Sequence, residues 1–205
     1  MSGSQNSVGH QYSETIKYYD ENAKDFVEQT IGADLSALYK RFLSDLPCPA
    51  RILDAGSGSG RDTLAFKKVG HEVVAIDASQ EMVKATRSIA GEPVVHAEFL
   101  EYISEDLFDG VWACASLLHV PRHLLAQTLI HLAALLKNGG RMFVSFKIGN
   151  NEEVRNGRFF NNLDADQLRK ILLDVPALEM EAWWITSDAR PNRDEQWLNA
   201  ILLND

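Results

Sequence analysis

Arg51-Ile-Leu-Asp-Ala-Gly-Ser-Gly-Ser-Gly60 carries an apolar run straight into three alternating glycines at 56, 58 and 60. Glycine lets a backbone turn tightly and pass close to a ligand where a side chain would obstruct it, so the stretch reads as a strand followed by a ligand-walling loop. A second apolar run, Glu72 to Ile76, ends in Asp77. A carboxylate at the C-terminal end of such a strand can accept both hydroxyls of a ribose, which makes Asp77 the best single ligand contact. Together these features describe a nucleotide-type cofactor pocket in an α/β protein. The plainer alternative is an ordinary strand-to-helix turn, with Asp77 near the N-cap of the next helix.

The spacing narrows the nucleotide. A dinucleotide fingerprint, G-x-G-x-x-G, places its third glycine where this chain has Arg61, which argues against NAD without excluding it. A phosphate-cradling loop is excluded more firmly, because no Gly-Lys-Ser/Thr follows the glycines.

Outward from this stretch, short apolar runs alternate with helical patterns. Strands are expected at 51–55, 72–76, 93–96, 109–115 and 141–146. Such alternation marks a mostly parallel sheet with helices on both faces, joined by right-handed crossovers. Pro121 suits a first helical turn, and Leu124, Leu125, Leu129, Leu132, Leu135 and Leu136 give a broad buried stripe before an Asn138-Gly-Gly stop. Asp164 with Gln167 forms a capping box opening a helix to about Leu173. Upstream, Tyr12 to Val27 suits an amphipathic lead-in helix, and Leu35, Leu38, Tyr39, Phe42 and Leu43 a second, ended by Pro47 and Pro49. Leu178 to Thr186 reads as a strand, whereas Glu195 to Leu203 suits a short helix or a strand. Residues 1–11, rich in Ser, Gly, Asn and Gln, are expected to be flexible.

Composition agrees with one compact enzyme: 205 residues, 45% hydrophobic and 24% charged, are enough for a single substantial core. A net charge of -9 disfavours a general grip on a polyanion, so no nucleic-acid partner is expected. No apolar run reaches a membrane span and the start lacks a signal-peptide pattern, so the expectation is a cytoplasmic protein without a membrane partner. Cys48 and Cys114 make no disulfide framework, and His10, His71, His96, His123 and His131 lack the spacing of metal ligands.

Asp54-Ala-Gly-Ser-Gly-Ser-Gly60 resembles the first motif of the class I S-adenosylmethionine-dependent methyltransferases, and further matches keep that family's order. Asp77 resembles the ribose-binding acid, Glu98-Phe99 the acidic and apolar pair beside the adenine, and Phe108-Asp109 to His119 the fourth-strand motif. Leu136-Lys-Asn-Gly-Gly140 resembles the leucine-lysine-proline-glycine-glycine turn before strand five, with Asn138 in place of proline. The match is strong over residues 50–146 and loose elsewhere, and is similar to the small-molecule enzymes that include quinone-biosynthesis and tellurite-resistance-like methyltransferases.

The resemblance implies a Rossmann-like, doubly wound seven-stranded sheet with an antiparallel last strand and helices on both faces. It decides 195–203 in favour of a strand beside strand five and makes Ser187 to Asp194, with its turn-favouring Pro191-Asn192, a hairpin loop. Residues 12–46 would form a helical cap, 50–146 the cofactor-binding core and 147–205 the acceptor side. The implied cofactor is S-adenosylmethionine, with Asp54, Gly56, Gly58, Gly60, Arg61, Asp77, Ala78, Met82, Glu98, Phe99 and Ser116 as its contacts. The acceptor is expected to be a small molecule with an oxygen, nitrogen or sulfur nucleophile, its identity left open because function lives in the site and not the fold.

Methyl transfer from a sulfonium is an in-line displacement, which asks the protein mainly for placement and water exclusion. It needs no covalent nucleophile, so Ser57 and Cys114 are read as structural. His119 lies just past strand four, at the carboxyl end where ligands of open α/β sheets gather. Two roles stand open for it: accepting or orienting the acceptor's proton, or capping the turn before Pro121. Arg155 to Phe160 has the mixture expected of an acceptor rim, with Arg190 and Arg193 as neighbours suited to a carboxylate or phosphate. Its alternative is a solvated loop with Phe159 or Phe160 in the core. The candidate catalytic set is thus His119, Arg158 and Phe159. Tyr18-Tyr19-Asp20 is either a lid contact or aromatics packed on the core with the acid at the surface. Trp183 and Trp184 point opposite ways if they lie on a strand. Two other function classes remain, an NAD-dependent oxidoreductase and a protein that binds S-adenosylmethionine without turnover.

Overall fold

The computed structural model describes residues 13–205. Tyr12 and the segment expected to be flexible, 1–11, lie outside them. In chain order, helix α1 (residues 13–21) is followed by α2 (Ala23–Thr30), α3 (Ser36–Leu43), β1 (Arg51–Ala55), α4 (Arg61–Lys68), β2 (Glu72–Asp77), α5 (Gln80–Ala90), β3 (Val94–His96) and β4 (Phe108–Ala113). A short 3₁₀ turn, Leu117–His119, leads to α6 (Arg122–Ala133), β5 (Leu136–Lys147), β6 (Glu152–Arg155), β7 (Arg158–Asn161), α7 (Ala165–Leu172), β8 (Leu178–Ser187) and β9 (Gln196–Asn204).

The main sheet has seven strands in the order β3-β2-β1-β4-β5-β9-β8. β1 to β5 pair in parallel, and β9 inserts antiparallel between β5 and β8. This is the Rossmann-like sheet with an antiparallel last strand. The local pattern of β9 was ambiguous for a physical reason: Leu198, Ala200 and Leu202 enter one core layer and Ile201 the other, so burial on both sides erases the period-two signal.

Helices cover both faces. On one, Leu125, Leu129 and Leu132 of α6 and Leu168 and Leu172 of α7 pack against Leu53, Ile76, Val111 and Val144. On the other, Phe42 of α3 and Phe66 of α4 close on Ile52, Trp112, Phe143 and Ile201, with the Trp112 and Phe143 rings stacked at 4.0 Å. Gly110 is required here, since an added Cβ would come within 2.7 Å of the Phe42 ring.

Three local expectations change. The lead-in helix breaks at Asn22, whose φ of -119° leaves the helical region while its side-chain amide donates to the Tyr18 carbonyl at 2.8 Å. Lys137-Asn-Gly-Gly140 is not a turn preceding β5 but a bulge inside it: pairing jumps from Phe108↔Leu136 to Gly110↔Arg141, with Gly139 at φ +74°. Arg155 to Phe160 is not a loop. It belongs to an antiparallel hairpin, β6-β7, turned by Asn156-Gly157 at φ +52° and +76°. Asn-Gly between two short runs is the sequence signal for such a turn. Among the described residues, no helix is long and apolar enough to cross a membrane.

Candidate functional site

A cavity of about 410 Å³ opens beyond the carboxyl ends of β1, β2 and β4. Its floor is the glycine loop, where Gly56, Gly58 and Gly60 stand at φ +87°, +53° and +77°. An added Cβ on Gly56 would lie 2.4 Å from that of Ser116, so backbone and Ser116 share a space no side chain can enter. The loop is pinned from below. The amides of Gly56 and Ser57 donate to the Ile76 carbonyl at 2.9 and 3.0 Å, and the Thr86 hydroxyl donates to the Gly58 carbonyl at 3.0 Å.

Asp77 stands opposite this floor. Its carboxylate accepts the amides of Gly58 and Ser79, both at 2.9 Å, fixing its orientation and leaving further lone pairs toward the cavity. Burial pushes its carboxyl up to about 6, against the two amide hydrogen bonds that lower it. Asp20 of α1 accepts the Ser79 hydroxyl at 2.6 Å and the Glu81 amide at 3.2 Å, so the first helix is tied to the start of α5. Tyr18 and Tyr19, next to that tie, line the cavity.

Of the expected cofactor contacts, Gly56, Gly58, Arg61, Asp77, Ala78, Met82, Phe99 and Ser116 line this cavity. Asp54, Gly60 and Glu98 do not. Asp54 is 2% exposed beneath the loop and accepts the Thr63 hydroxyl at 2.5 Å. Burial, then the neighbouring Asp62 charge, pushes it up to about 8. Gly60 packs against the Thr86 backbone at the start of α4. Glu98 lends its carbonyl to the amides of Glu101 and Tyr102 in a turn.

Arg61 reaches the cavity wall through Asp62, a residue that sequence patterning did not single out. The guanidinium donates to both Asp62 oxygens at 2.6 and 3.0 Å, and the same carboxylate takes the Tyr39 hydroxyl at 2.5 Å and the Trp112 indole N–H at 2.8 Å. Burial alone would raise the Asp62 carboxyl. The Arg61 charge and these four donors outweigh it and hold it below the ordinary range. Tyr39 and Trp112 are 23 and 50 residues from Asp62, so no local pattern joins them.

The far end of the cavity, where the sequence places an acceptor, is built by the first helix and the β6-β7 hairpin packed on His119. Its Nδ1 lies 2.6 Å from the Phe159 carbonyl and its Nε2 2.8 Å from the Tyr19 hydroxyl. A carbonyl only accepts, so Nδ1 carries the proton and Nε2 accepts from Tyr19. Burial lowers the imidazole to about 4, which keeps it neutral. Phe159 gives the cavity no aromatic plane: its side chain is buried, and it contributes its carbonyl to His119 and its amide to the Thr15 hydroxyl at 3.0 Å. Phe160 lines the cavity in its place. Strand alternation explains the exchange, because Phe159 and Phe160 on β7 point opposite ways.

Arg158 also lines the cavity, with its guanidinium 4.6 Å from the Tyr18 ring centre and 5.2 Å from that of Phe160. Lys147 and Arg155 share Glu195, and Arg190 grips Asp188 with two donors. Cys114 lies in the wall as a thiol that burial pushes up to about 12. Trp183 and Trp184 are outside the cavity, under Arg169 and Arg41 respectively. Among the described residues, no group of three or more His, Cys, Asp or Glu side chains is arranged to hold a metal ion.

Residues 52–140 match a family described as a methyltransferase domain. A ubiquinone biosynthesis O-methyltransferase of Xanthomonas campestris pv. campestris (strain B100) is 37% identical over 103 residues, covering 47% of this chain and 42% of that protein. The chain therefore spans less than half the length of the curated relatives it matches. The structure is similar to that of Burkholderia thailandensis 1,6-didemethyltoxoflavin-N1-methyltransferase, solved with 1,6-didemethyltoxoflavin and S-adenosylhomocysteine, with a TM-score of 0.78 at 21% identity over 100% of this chain and 91% of that one. It is also similar to the [4+2]-cyclase SpnF, with a TM-score of 0.71 at 15% identity over 92% and 94%. These two likenesses show a shared fold, one that serves more than one chemistry.

Proposed function

We propose that this chain, whose residues 52–140 match a methyltransferase domain, is a class I methyltransferase that transfers a methyl group from S-adenosylmethionine to an oxygen, nitrogen or sulfur atom of a small molecule. The observation that carries this is the pairing of a glycine floor closed to side chains with Asp77 fixed across it. The residues present suit the cofactor: Asp77 has lone pairs for two ribose hydroxyls, Phe99 and Met82 offer apolar surface for a base, and the glycine backbone allows close approach. When bound, the cofactor supplies an electrophilic methyl group on a sulfonium. Arg61 stands where a dinucleotide fingerprint needs glycine, and its guanidinium is locked on Asp62, which favours this reading over NAD.

On the acceptor side, Tyr19 and His119 form a proton path. An acceptor X–H donating to the Tyr19 oxygen passes its proton there as the phenol's own proton moves to His119 Nε2, and the Phe159 carbonyl holds the opposite nitrogen throughout. His119 thus touches the reaction through Tyr19. The hairpin and α1 also line the cavity beside these groups, which limits the water around the displacement.

Isothermal titration tests the cofactor assignment. S-adenosylmethionine and S-adenosylhomocysteine are expected to saturate the wild type, with NAD far weaker. Asp77→Ala is expected to lose about 1.5–3 kcal/mol, a roughly 10- to 150-fold rise in Kd, through lost hydrogen bonds to a charged group. The sign of the pH effect follows from the raised Asp77 carboxyl: ribose hydroxyls favour the ionised form, so affinity holds above about 6 and weakens as pH falls through it. Unchanged affinity in Asp77→Ala, or a flat profile from pH 7 to 5, would remove Asp77 from the site.

A further inference from the structure

We infer that the methyl acceptor is an anion, carrying a carboxylate or phosphate whose oxygens are seated on Arg158; this rests on the small-molecule methyltransferase reading above. The chain as a whole has a net charge of -9, yet the acceptor end of the cavity holds more cations than carboxylates. Asp188 neutralises Arg190, and Glu195 can neutralise only one of Lys147 and Arg155. Arg158 has no carboxylate partner among the described residues, and its Nε is buried without any hydrogen-bond partner. A desolvated donor on a charged group is costly unless something fills it. Contacts with the Tyr18 and Phe160 rings hold the guanidinium in place, and its planar fork is matched by two oxygens of one anionic group.

The position of Arg158 adds the second half. It also lies over the Tyr19 ring, at 5.8 Å, and the Tyr19 hydroxyl is the group bonded to His119. An acceptor anchored on Arg158 therefore brings its nucleophilic atom to the Tyr19 oxygen only if both groups sit on the same small molecule. Lys147, over the Phe160 ring at 4.8 Å, adds positive potential without a direct fork.

Titration calorimetry of wild type, Arg158→Gln and Arg158→Lys against benzoate, phenyl phosphate and uncharged benzamide, with and without saturating S-adenosylhomocysteine, tests this. The expected result is that at least one anion binds the wild type tenfold or more tightly than benzamide, and that Arg158→Gln removes the difference. Arg158→Lys is expected to restore part of it, since charge remains and the fork does not. Whichever anion binds better distinguishes carboxylate from phosphate. Equal binding of anions and benzamide by wild type, or undiminished anion preference in Arg158→Gln at wild-type melting temperature, would overturn the proposal. So would a loss of S-adenosylhomocysteine affinity in Arg158→Gln, which would assign the arginine to the cofactor. If wild type fails to bind S-adenosylhomocysteine at all, the cofactor reading falls, while the titrations without it still decide the role of Arg158.

Discussion

Asp62→Ala is expected to destabilise the protein by about 3–5 kcal/mol, the cost of leaving a buried charge without its partner. The carboxylate holds four donors, and its removal strands the Arg61 guanidinium, the Tyr39 hydroxyl and the Trp112 indole N–H in the layer between α3, α4 and the sheet. For a chain of this length the loss corresponds to a fall of roughly 6–20 °C in melting temperature. Asp62→Asn, which keeps an acceptor oxygen but not the charge, is expected to fall between the two. Calorimetric melts of the three proteins check this. An Asp62→Ala protein within 1 °C of wild type would mean that Arg61 escapes to solvent and that the cluster does not hold the wall of the site.

The second large effect is kinetic. Once an acceptor is known, Tyr19→Phe and His119→Ala are each expected to lower kcat by about 10²- to 10⁴-fold, the range for a positioned proton acceptor, with cofactor affinity nearly unchanged. Because the proposed path runs through both residues, the double variant is expected to cost little more than either single one. The neutral imidazole sets the pH dependence: with His119 lowered to about 4, its protonation produces no acid limb between pH 5 and 9. An acid limb of kcat/KM near 6 belongs instead to Asp77. Tyr19→Phe at wild-type kcat/KM, measured with acceptor below KM, would return both residues to a structural role.

The half of the cavity proposed for the cofactor was legible in the sequence because it is made of local signals. Gly56 and Gly58 follow one strand, Asp77 ends the next, and both lie within thirty residues of one another. The half proposed for the acceptor was not, because its partners lie far apart in the chain: Tyr19 meets His119 across 100 positions, and Thr15 meets Phe159 across 144. The Tyr18-Tyr19-Asp20 cluster marked the right helix, but nothing in its spacing distinguished Asp20 as an anchor on Ser79 from Tyr19 as a partner of His119. Phe159 was misplaced for a simpler cause. Asn156-Gly157 carried the hairpin signal, and reading it would have set β7 and its alternation, turning Phe160 toward the cavity and Phe159 away. Asp54 and Asp62 show the same limit from the other side, since acids beside a glycine loop look alike in sequence whether they face a ligand or sit beneath it.

The most direct measurement of the central proposal is methyl transfer itself. Purified protein incubated with methyl-labelled S-adenosylmethionine and a metabolite extract is expected to place label in the small-molecule fraction, preferentially in anionic compounds, with Asp77→Ala strongly reduced at limiting cofactor. Label confined to nucleic acid or protein, or no transfer to any fraction by a wild type that binds S-adenosylhomocysteine, would contradict it.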